Sequence, residues 1–244
     1  HAARIASAVD VPMKTRCRLS TNAATGILNT AGEMNATEIV LGLHHKHGML
    51  DSFLGSFAQS ILKGTHRQMM VVKCLMPVNT MRRLMVAVPP KAEFEAGFYK
   101  WVERLARIGG QLGCRVHFWA HPDTILRING YLKKFHGNVR VEFSPMDDWD
   151  DLLLMSSKVA YDHLVVIVSA RKGAISYQSS FEELPTQITK YFSNCSLMLI
   201  YPDQLGDPLE NLTFSSPRGQ SENPIYDHVS KWVYKWMKKG EEQG

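Results

Sequence analysis

The residues of this chain best suited to chemistry lie in one loop, which follows a short apolar run. Gly42 is followed by two residues and then His45, and nine further residues separate His45 from Gly55 and Ser56. Small residues there let backbone N–H groups approach phosphate oxygens, and a serine hydroxyl adds a donor. The side chain of His45 leaves less room for a phosphate beside the backbone. The alternative to a phosphate site is a tight strand-to-helix turn that binds no ligand. The candidate phosphate-binding residues are Gly42, His45, Gly48, Gly55 and Ser56.

Three histidines, His44, His45 and His47, give the same loop a dense imidazole cluster. Imidazole titrates near neutral pH, so the cluster is a candidate pH sensor, with a solvated loop as the alternative. A zinc site needs three or four converging ligands, and neighbouring histidines on one loop rarely converge. We therefore predict no metal site.

The remaining acidic and nucleophilic residues form no catalytic pattern. The aspartates of 147–151 stand at a predicted helix start, where such residues cap the helix more often than they act as acid/base pairs. The sequence contains no Gly-x-Ser-x-Gly, His-Glu-x-x-His or P-loop motif. The prediction is a protein without catalytic residues that is not an enzyme.

The elements around the loop place it between a strand and a helix. Residues 39–43 and 69–72 are apolar runs of buried-strand length, and apolar residues recur at helical spacing across 50–62. In a parallel sheet such a loop lies at the carboxyl edge, where ligands bind in open α/β folds. The elements predicted upstream are a helix over 1–10, a half-buried strand over 13–20 and a helix over 23–34, capped by Thr21 or Asn22.

A complete alternation of strands and helices follows a linker at residues 77–80. The predicted strands are residues 83–88, 115–120, 139–143, 163–169 and 197–201, and the predicted helices are residues 94–109, 122–135, 148–159 and 181–192. Such alternation indicates an α/β fold with doubly wound parallel sheets, in the flavodoxin-like order.

The chain is a tandem of two related units, of which the first is incomplete at its N-terminus. Positions 42 and 61 of the first unit correspond to 169 and 188 of the second, a separation of 127 residues in both cases. At this separation Ser169, Lys172, Glu182 and Glu183 replace Gly42, His45, Gly55 and Ser56. Because two carboxylates would repel a phosphate, we predict that the second unit does not bind one.

Charge and cysteine content restrict the partners and the compartment. A net charge of +5 over 244 residues permits an anionic partner, but no Lys/Arg run exceeds two residues and no nucleic-acid-binding motif occurs. We predict no nucleic-acid partner. No apolar segment approaches the roughly eighteen residues of a membrane span. Cys17, Cys74, Cys114 and Cys195 lie in or beside apolar runs, which predicts reduced core thiols in a cytosolic protein.

The C-terminal part, residues 203–244, reads as a polar linker and a final helix. Apolar residues recur along one stripe of residues 224–239, which also carry four lysines. A basic amphipathic helix of this kind can lie on an anionic membrane surface. The alternative is a helix that packs back on the domain, since aromatic stripes usually belong to a core.

The loop spacing resembles the phosphate-binding pattern of the universal stress protein family, which has glycine where this chain has His45. Residues 1–76 resemble the last part of one such unit, and residues 81–202 resemble a complete second unit. The resemblance implies ATP or AMP as the ligand of the first loop. It also implies that residues 69–72 and 197–200 pair as a pseudo-dimer, because family members pair through their last strands.

A second resemblance concerns residues 36–56, ATEIVLGLHHKHGMLDSFLGS. This segment, the tandem layout and a start within a helix without an initiator Met resemble the cytoplasmic C-terminal region of bacterial sodium/proton antiporters of the monovalent cation:proton antiporter-2 type. The resemblance implies a non-catalytic regulatory domain at the cytoplasmic face of the inner membrane, partnered by an upstream transmembrane domain and by a second copy in a homodimer. The alternatives are a soluble tandem universal stress protein that binds ATP or AMP, and a purely structural dimerisation module.

Overall fold

The computed structural model describes residues 6–7, 11–42 and 55–205. The chain divides into two compact units. The helical unit lies within residues 1–36 and 51–65, and the sheet unit lies within residues 37–50 and 66–244.

Six helices and seven strands are described. The helices are α1 (Ala23–Glu33), α2 (Ser56–Lys63), α3 (Phe98–Leu112), α4 (Pro122–Phe135), α5 (Leu152–Ser156) and α6 (Leu184–Tyr191). The strands are β1 (Glu38–Gly42), β2 (Gln68–Lys73), β3 (Arg83–Ala87), β4 (Arg115–Ala120), β5 (Val141–Pro145), β6 (His163–Val168) and β7 (Ser196–Tyr201). Within the described ranges, no helix combines the length and the apolarity that crossing a bilayer requires.

The helical unit contains α1 and α2. The side chain of Asn22 accepts a hydrogen bond of 2.8 Å from the backbone N–H of Ala24, so it caps α1 as the sequence predicts. The two helices pack closely where α2 ends, since a Cβ atom at Gly64 would lie 2.3 Å from Cδ1 of Leu28. A side chain at position 64 would therefore require the Leu28 side chain to move.

The sheet unit is one sheet of seven strands in the order β1-β2-β7-β6-β3-β4-β5. All neighbours are parallel except β2 and β7, which are antiparallel, with Met69 opposite Tyr201 and Lys73 opposite Leu197. The last strands of the two predicted repeats thus pair within the chain, as predicted. We call this β2–β7 pair the seam, and it joins β1 and β2 to the other five strands in a single sheet.

The strands β3 to β7 have the doubly wound arrangement that the alternation of elements predicts. β3 lies in the middle, with β4 and β5 on one side and β6 and β7 on the other. On one face, alternate apolar residues of these strands pack with α3 and α4 around the buried Phe98 and Trp101. α5 contacts β3 from the opposite face, as right-handed crossovers on both sides of the middle strand require. The strand order reverses between β3 and β6, which makes that point the expected ligand crevice.

Several predicted elements differ from the observed ones. Residues 11–20 contain no strand and are exposed throughout, because loose alternation alone does not supply a neighbouring strand to pair with. α3 begins at Phe98 rather than at 94, and Phe94 is 64% exposed in a short 3-10 turn. The helices predicted over 148–159 and 181–192 shorten to α5 and α6, each preceded by a 3-10 turn. The predicted elements over 1–10 and 224–239 fall on residues outside the described ranges, apart from residues 6 and 7.

The cysteines also differ from expectation. Cys114 is buried and Cys195 is half-buried, but Cys17 and Cys74 are exposed. The prediction of core thiols is wrong for these two residues. Cys17 lies in the exposed segment that was predicted to be a strand, and Cys74 lies one residue beyond β2.

Candidate functional site

The residues of the predicted phosphate loop lie in different units of the chain. Gly42 is the last residue of β1, in the sheet unit. Gly55 and Ser56 begin α2, in the helical unit. His44, His45, His47 and Gly48 lie outside the described residues, so the candidate pH sensor stays a prediction.

The corresponding loop of the second repeat is described completely. It follows β6 at the switch point and faces the segment that follows β3. Glu95, between β3 and α3, accepts hydrogen bonds at Oε1 from the backbone N–H of Ser176 (2.9 Å) and from its hydroxyl (2.8 Å). Ser176 is 1% exposed, so these bonds tie the two segments together away from solvent.

An ion pair joins the two ends of the loop after β6. Lys172 Nζ lies 2.7 Å from Glu182 Oε1, and the hydroxyl of Tyr177 donates to the same oxygen at 3.3 Å. The hydrogen bond and charge of Lys172 lower the pKa of Glu182, and those of Glu182 raise the pKa of Lys172. These two residues occupy the positions of His45 and Gly55 in the first repeat. The second loop therefore pairs its own charges where the first has a histidine and a glycine.

The segment after β7 covers the start of α3. A Cβ atom at Gly97 would lie 2.4 Å from the backbone nitrogen of Asp203 and 2.6 Å from its oxygen. The carboxylate of Asp203 accepts a hydrogen bond from Lys100 in the first turn of α3. The backbone and the carboxylate of the buried Asp203 thus occupy the space in front of the N-terminus of α3.

Two further contacts fill the same edge of the sheet. The guanidinium of Arg171 donates to the carbonyl of Pro202 and, at 2.7 Å, to the carbonyl of Arg67. Burial raises the pKa of Tyr201 to about 12, while a hydrogen bond with Ser169 and the charge of Arg171 act in the opposite direction. The phenol is therefore neutral at physiological pH. The switch point of the second repeat is occupied by the chain's own groups.

The close approach at Gly97 leads to a stability prediction. Gly97→Ala should lower the free energy of unfolding by roughly 1 to 2 kcal/mol, because the added methyl group meets backbone atoms that cannot rotate away. The matched control is Gly110→Ala in α3, where a Cβ would meet Val139 at an ordinary 3.7 Å. The control should stabilise by about 0.5 to 1 kcal/mol through helix propensity. Urea unfolding followed by tryptophan fluorescence measures both, and equal effects of the two changes would contradict the close approach.

One serine–histidine contact was missed from the sequence. His117 Nε2 on β4 lies 2.9 Å from Ser144 Oγ on β5. However, Nδ1 of the same ring lies 3.4 Å from Arg83 Nη1 and 3.7 Å from Glu142 Oε2. The ring therefore lacks the carboxylate hydrogen bond that orients the histidine of a catalytic triad. The contact was missed because the strand predicted over residues 139–143 ended one residue before Ser144, whereas β5 extends to Pro145.

Metal binding has no support from clusters of ligating side chains. Among residues 6–7, 11–42 and 55–205, no group of three or more His, Cys, Asp and Glu side chains converges in a way that could hold a metal ion. The three histidines of the first loop are not among these residues.

Comparison with known proteins finds one matching family profile and several similar solved structures. The profile of the universal stress protein family matches residues 2–73. No curated protein sequence matches the chain significantly. A universal stress protein from Archaeoglobus fulgidus is similar with a TM-score of 0.52 and 16% identity, covering 85% of this chain and 74% of that one.

Two structures from Pseudomonas aeruginosa are also similar. One is a candidate universal stress protein, with a TM-score of 0.50 and 15% identity, covering 88% of this chain and 82% of that one. The other is a protein of unknown function, with a TM-score of 0.51 and 15% identity, covering 86% and 79%. Residues 2–73 thus match the universal stress protein family, and the described chain has the fold of the universal stress proteins.

Proposed function

We propose that this chain is a non-catalytic regulatory domain of a sodium/proton antiporter, built on the universal stress protein fold. The observation that carries the proposal is the closed switch point of the second repeat. There the buried Ser176, hydrogen-bonded to Glu95, and the backbone of Asp203 against Gly97 occupy the edge at which an open α/β sheet binds its ligand. A unit that keeps its sheet but fills its ligand edge is suited to a structural or regulatory role.

Within the described part of the chain, the contact between His117 and Ser144 lacks the arrangement of a catalytic pair, which supports the non-catalytic part of the proposal. Ser144 Oγ lies 2.9 Å from His117 Nε2, and Nδ1 of that ring lies 3.4 Å from Arg83 Nη1. Glu142 lies 3.7 Å from Nδ1 of the same ring, a distance too long for the hydrogen bond that orients a catalytic imidazole.

The transporter part of the proposal rests on the resemblance of residues 36–56 to the C-terminal region of bacterial antiporters. In this role the domain lies at the cytoplasmic face of the membrane, and the transmembrane domain of the same protein is its partner. A ligand, or a proton taken up by the histidines of the first loop, would shift an equilibrium between two arrangements of the domain. That shift would change the activity of the transporter.

The test is carried out on the full-length protein in everted membrane vesicles. We expect sodium-driven proton flux whose pH dependence shifts when the domain is deleted. Val71→Asp, which places a charge in the seam, should reproduce the deletion, and Val40→Asp, at a site 60% exposed, should not. An encoding gene without transmembrane segments, or flux with the same pH dependence in all four proteins, would refute the proposal.

The second candidate function is a soluble tandem universal stress protein that binds ATP or AMP. The family match favours it, since residues 2–73 include Gly42, Gly55 and Ser56. Calorimetric titration with ATP and AMP at pH 6 and pH 8 tests this function. We then expect micromolar binding that Gly55→Glu abolishes and that Gly130→Glu, at a glycine of α4 with open space around it, leaves unchanged.

A further inference from the structure

Basic residues line the amino edge of the sheet, opposite the edge that the family resemblance singles out. β3, β4 and β6 are neighbours, and they begin with Arg83, Arg115 and His163. Arg83 is in register with both of the others. Like charges directly opposite each other on adjacent strands destabilise a sheet, so this row needs counter-charges.

The carboxylates near the row compensate only part of its charge. Glu142 pairs with Arg83 at 3.0 Å and with Arg115 at 2.6 Å. Asp162 lies 3.7 Å from Arg82 and equally far from His163. These contacts supply two carboxylates.

A fourth arginine adds to the imbalance. The guanidinium of Arg140 donates to the carbonyl of Gly113, which ends α3, and within the described part of the chain it forms no ion pair with a carboxylate. Capping a helix C-terminus explains the position of Arg140 but uses one of its five N–H groups. Four arginines therefore face two carboxylates at this edge.

An open cleft of about 810 Å³ lies among these residues. Its lining includes Arg82, Arg83, Arg115, Arg140 and His163, and we call it the arginine cleft. The side chains of Arg82 and Arg115 are 84% and 47% exposed, so their donors are within reach of a ligand. A cleft of a few hundred Å³ or more is large enough for a small-molecule ligand.

The pKa values of the two neighbouring imidazoles are lowered mainly by burial. Burial lowers the pKa of His163, Asp162 raises it and Arg83 lowers it further. Burial likewise lowers the pKa of His117, with Glu142 opposing and Arg83, Lys158 and His163 adding to the effect. The lowered pKa values favour the neutral form of both rings, so the arginines supply the positive charge of the cleft.

We propose that the arginine cleft binds a phosphate-bearing anion with at least two negative charges. The planar guanidinium fork matches two phosphate oxygens at once, so several arginines converging on one cleft favour phosphate over a single carboxylate. The source of the phosphate is either a free phosphorylated molecule or a lipid headgroup. The proposal is independent of the regulatory role proposed above.

Inorganic pyrophosphate is the probe that tests the cleft, in a calorimetric titration of the chain. We expect binding that Arg82→Gln and Arg140→Gln each weaken at least tenfold. Arg16→Gln removes the same charge from an exposed segment of the helical unit and should leave the affinity unchanged. The two cleft arginines are exposed, and unchanged thermal unfolding of the variants confirms that they fold.

A second arm identifies the source of the phosphate. Vesicles of phosphatidylglycerol and of phosphatidylcholine are sedimented with the wild-type chain and with both cleft variants. Arginine-dependent binding to the anionic vesicles, together with pyrophosphate binding, assigns a lipid headgroup, and pyrophosphate binding alone assigns a free molecule. Failure to bind pyrophosphate, or binding that all three variants retain equally, would overturn the proposal.

Discussion

Val71→Asp should lower the free energy of unfolding by about 4 kcal/mol or more, at the upper end of single-substitution effects. Val71 is fully buried in β2 and lies opposite Leu199 of β7, in the middle of the seam. A carboxylate there loses its hydration and finds apolar neighbours, so it must either remain charged at high cost or take up a proton. The two repeats would then lose their common sheet.

Urea unfolding of the purified chain measures this effect. The matched control is Val40→Asp in β1, where the side chain is 60% exposed and the new carboxylate stays in water. We expect the control to cost about 1 kcal/mol or less, which is the range of strand propensity. Similar losses in the two variants would show that burial in the seam is not what stabilises the sheet.

Glu103→Gln should cost about 2–3 kcal/mol, the second largest effect that we expect. The carboxylate of Glu103 on α3 is 13% exposed and accepts three hydrogen bonds. Arg107 donates at 2.6 Å, the hydroxyl of Tyr131 on α4 donates at 2.8 Å, and His136 donates the third. A glutamine side chain has nearly the same shape as glutamate, but it removes the negative charge. Its NH2 group would also face side chains that donate hydrogen bonds to the carboxylate.

The effect of Glu103→Gln should depend on pH. Burial raises the pKa of Glu103, but the hydrogen bonds from His136, Arg107 and Tyr131 outweigh it and lower the pKa overall. The stabilisation is therefore complete above the ordinary glutamate pKa and is lost as the pH falls through the lowered value. The difference between wild type and variant should shrink across that window.

An exposed ion pair provides the control for this second experiment. Glu33 pairs with Arg18 at 2.7 Å, but their side chains are 61% and 39% exposed. Glu33→Gln should therefore cost less than about 1 kcal/mol. If Glu103→Gln lowered the free energy of unfolding no more than Glu33→Gln does, the expectation would be wrong. The three donors would then form hydrogen bonds with water in place of the carboxylate.

The parts of the fold that the sequence predicts correctly are those where one interaction dominates. The run Ser196–Tyr201 is buried at every position, and a continuous apolar run has few alternatives to a central strand. Asn22 caps α1 because its side chain satisfies a backbone donor locally. Such features depend on neighbours in the chain or on burial alone, so they are visible without the structure.

The contacts that close the candidate site depend on distant parts of the chain. Glu95 meets Ser176 across 81 residues, and Gly97 meets the backbone of Asp203. The carboxylates of Glu182 and Glu183 predicted from sequence that the second loop does not bind phosphate, but the sequence did not predict that Glu182 pairs with Lys172. The strand predicted over residues 13–20 is absent for a related reason. A strand needs a neighbouring strand for its hydrogen bonds, and the periodicity of one segment does not identify that neighbour.

The seam also determines how the sheet assembles. β2 is joined to the rest of the sheet by residues 74–82, so its pairing with β7 is intramolecular and depends on an effective concentration, about millimolar for short flexible connections, instead of on protein concentration. In a symmetric homodimer, a substitution changes both subunits at once. Here the loops after β1 and β6 are separate stretches of one sequence, so an ion pair such as Lys172–Glu182 can arise in one loop while the other keeps its glycine. The two sides of the seam can therefore change independently.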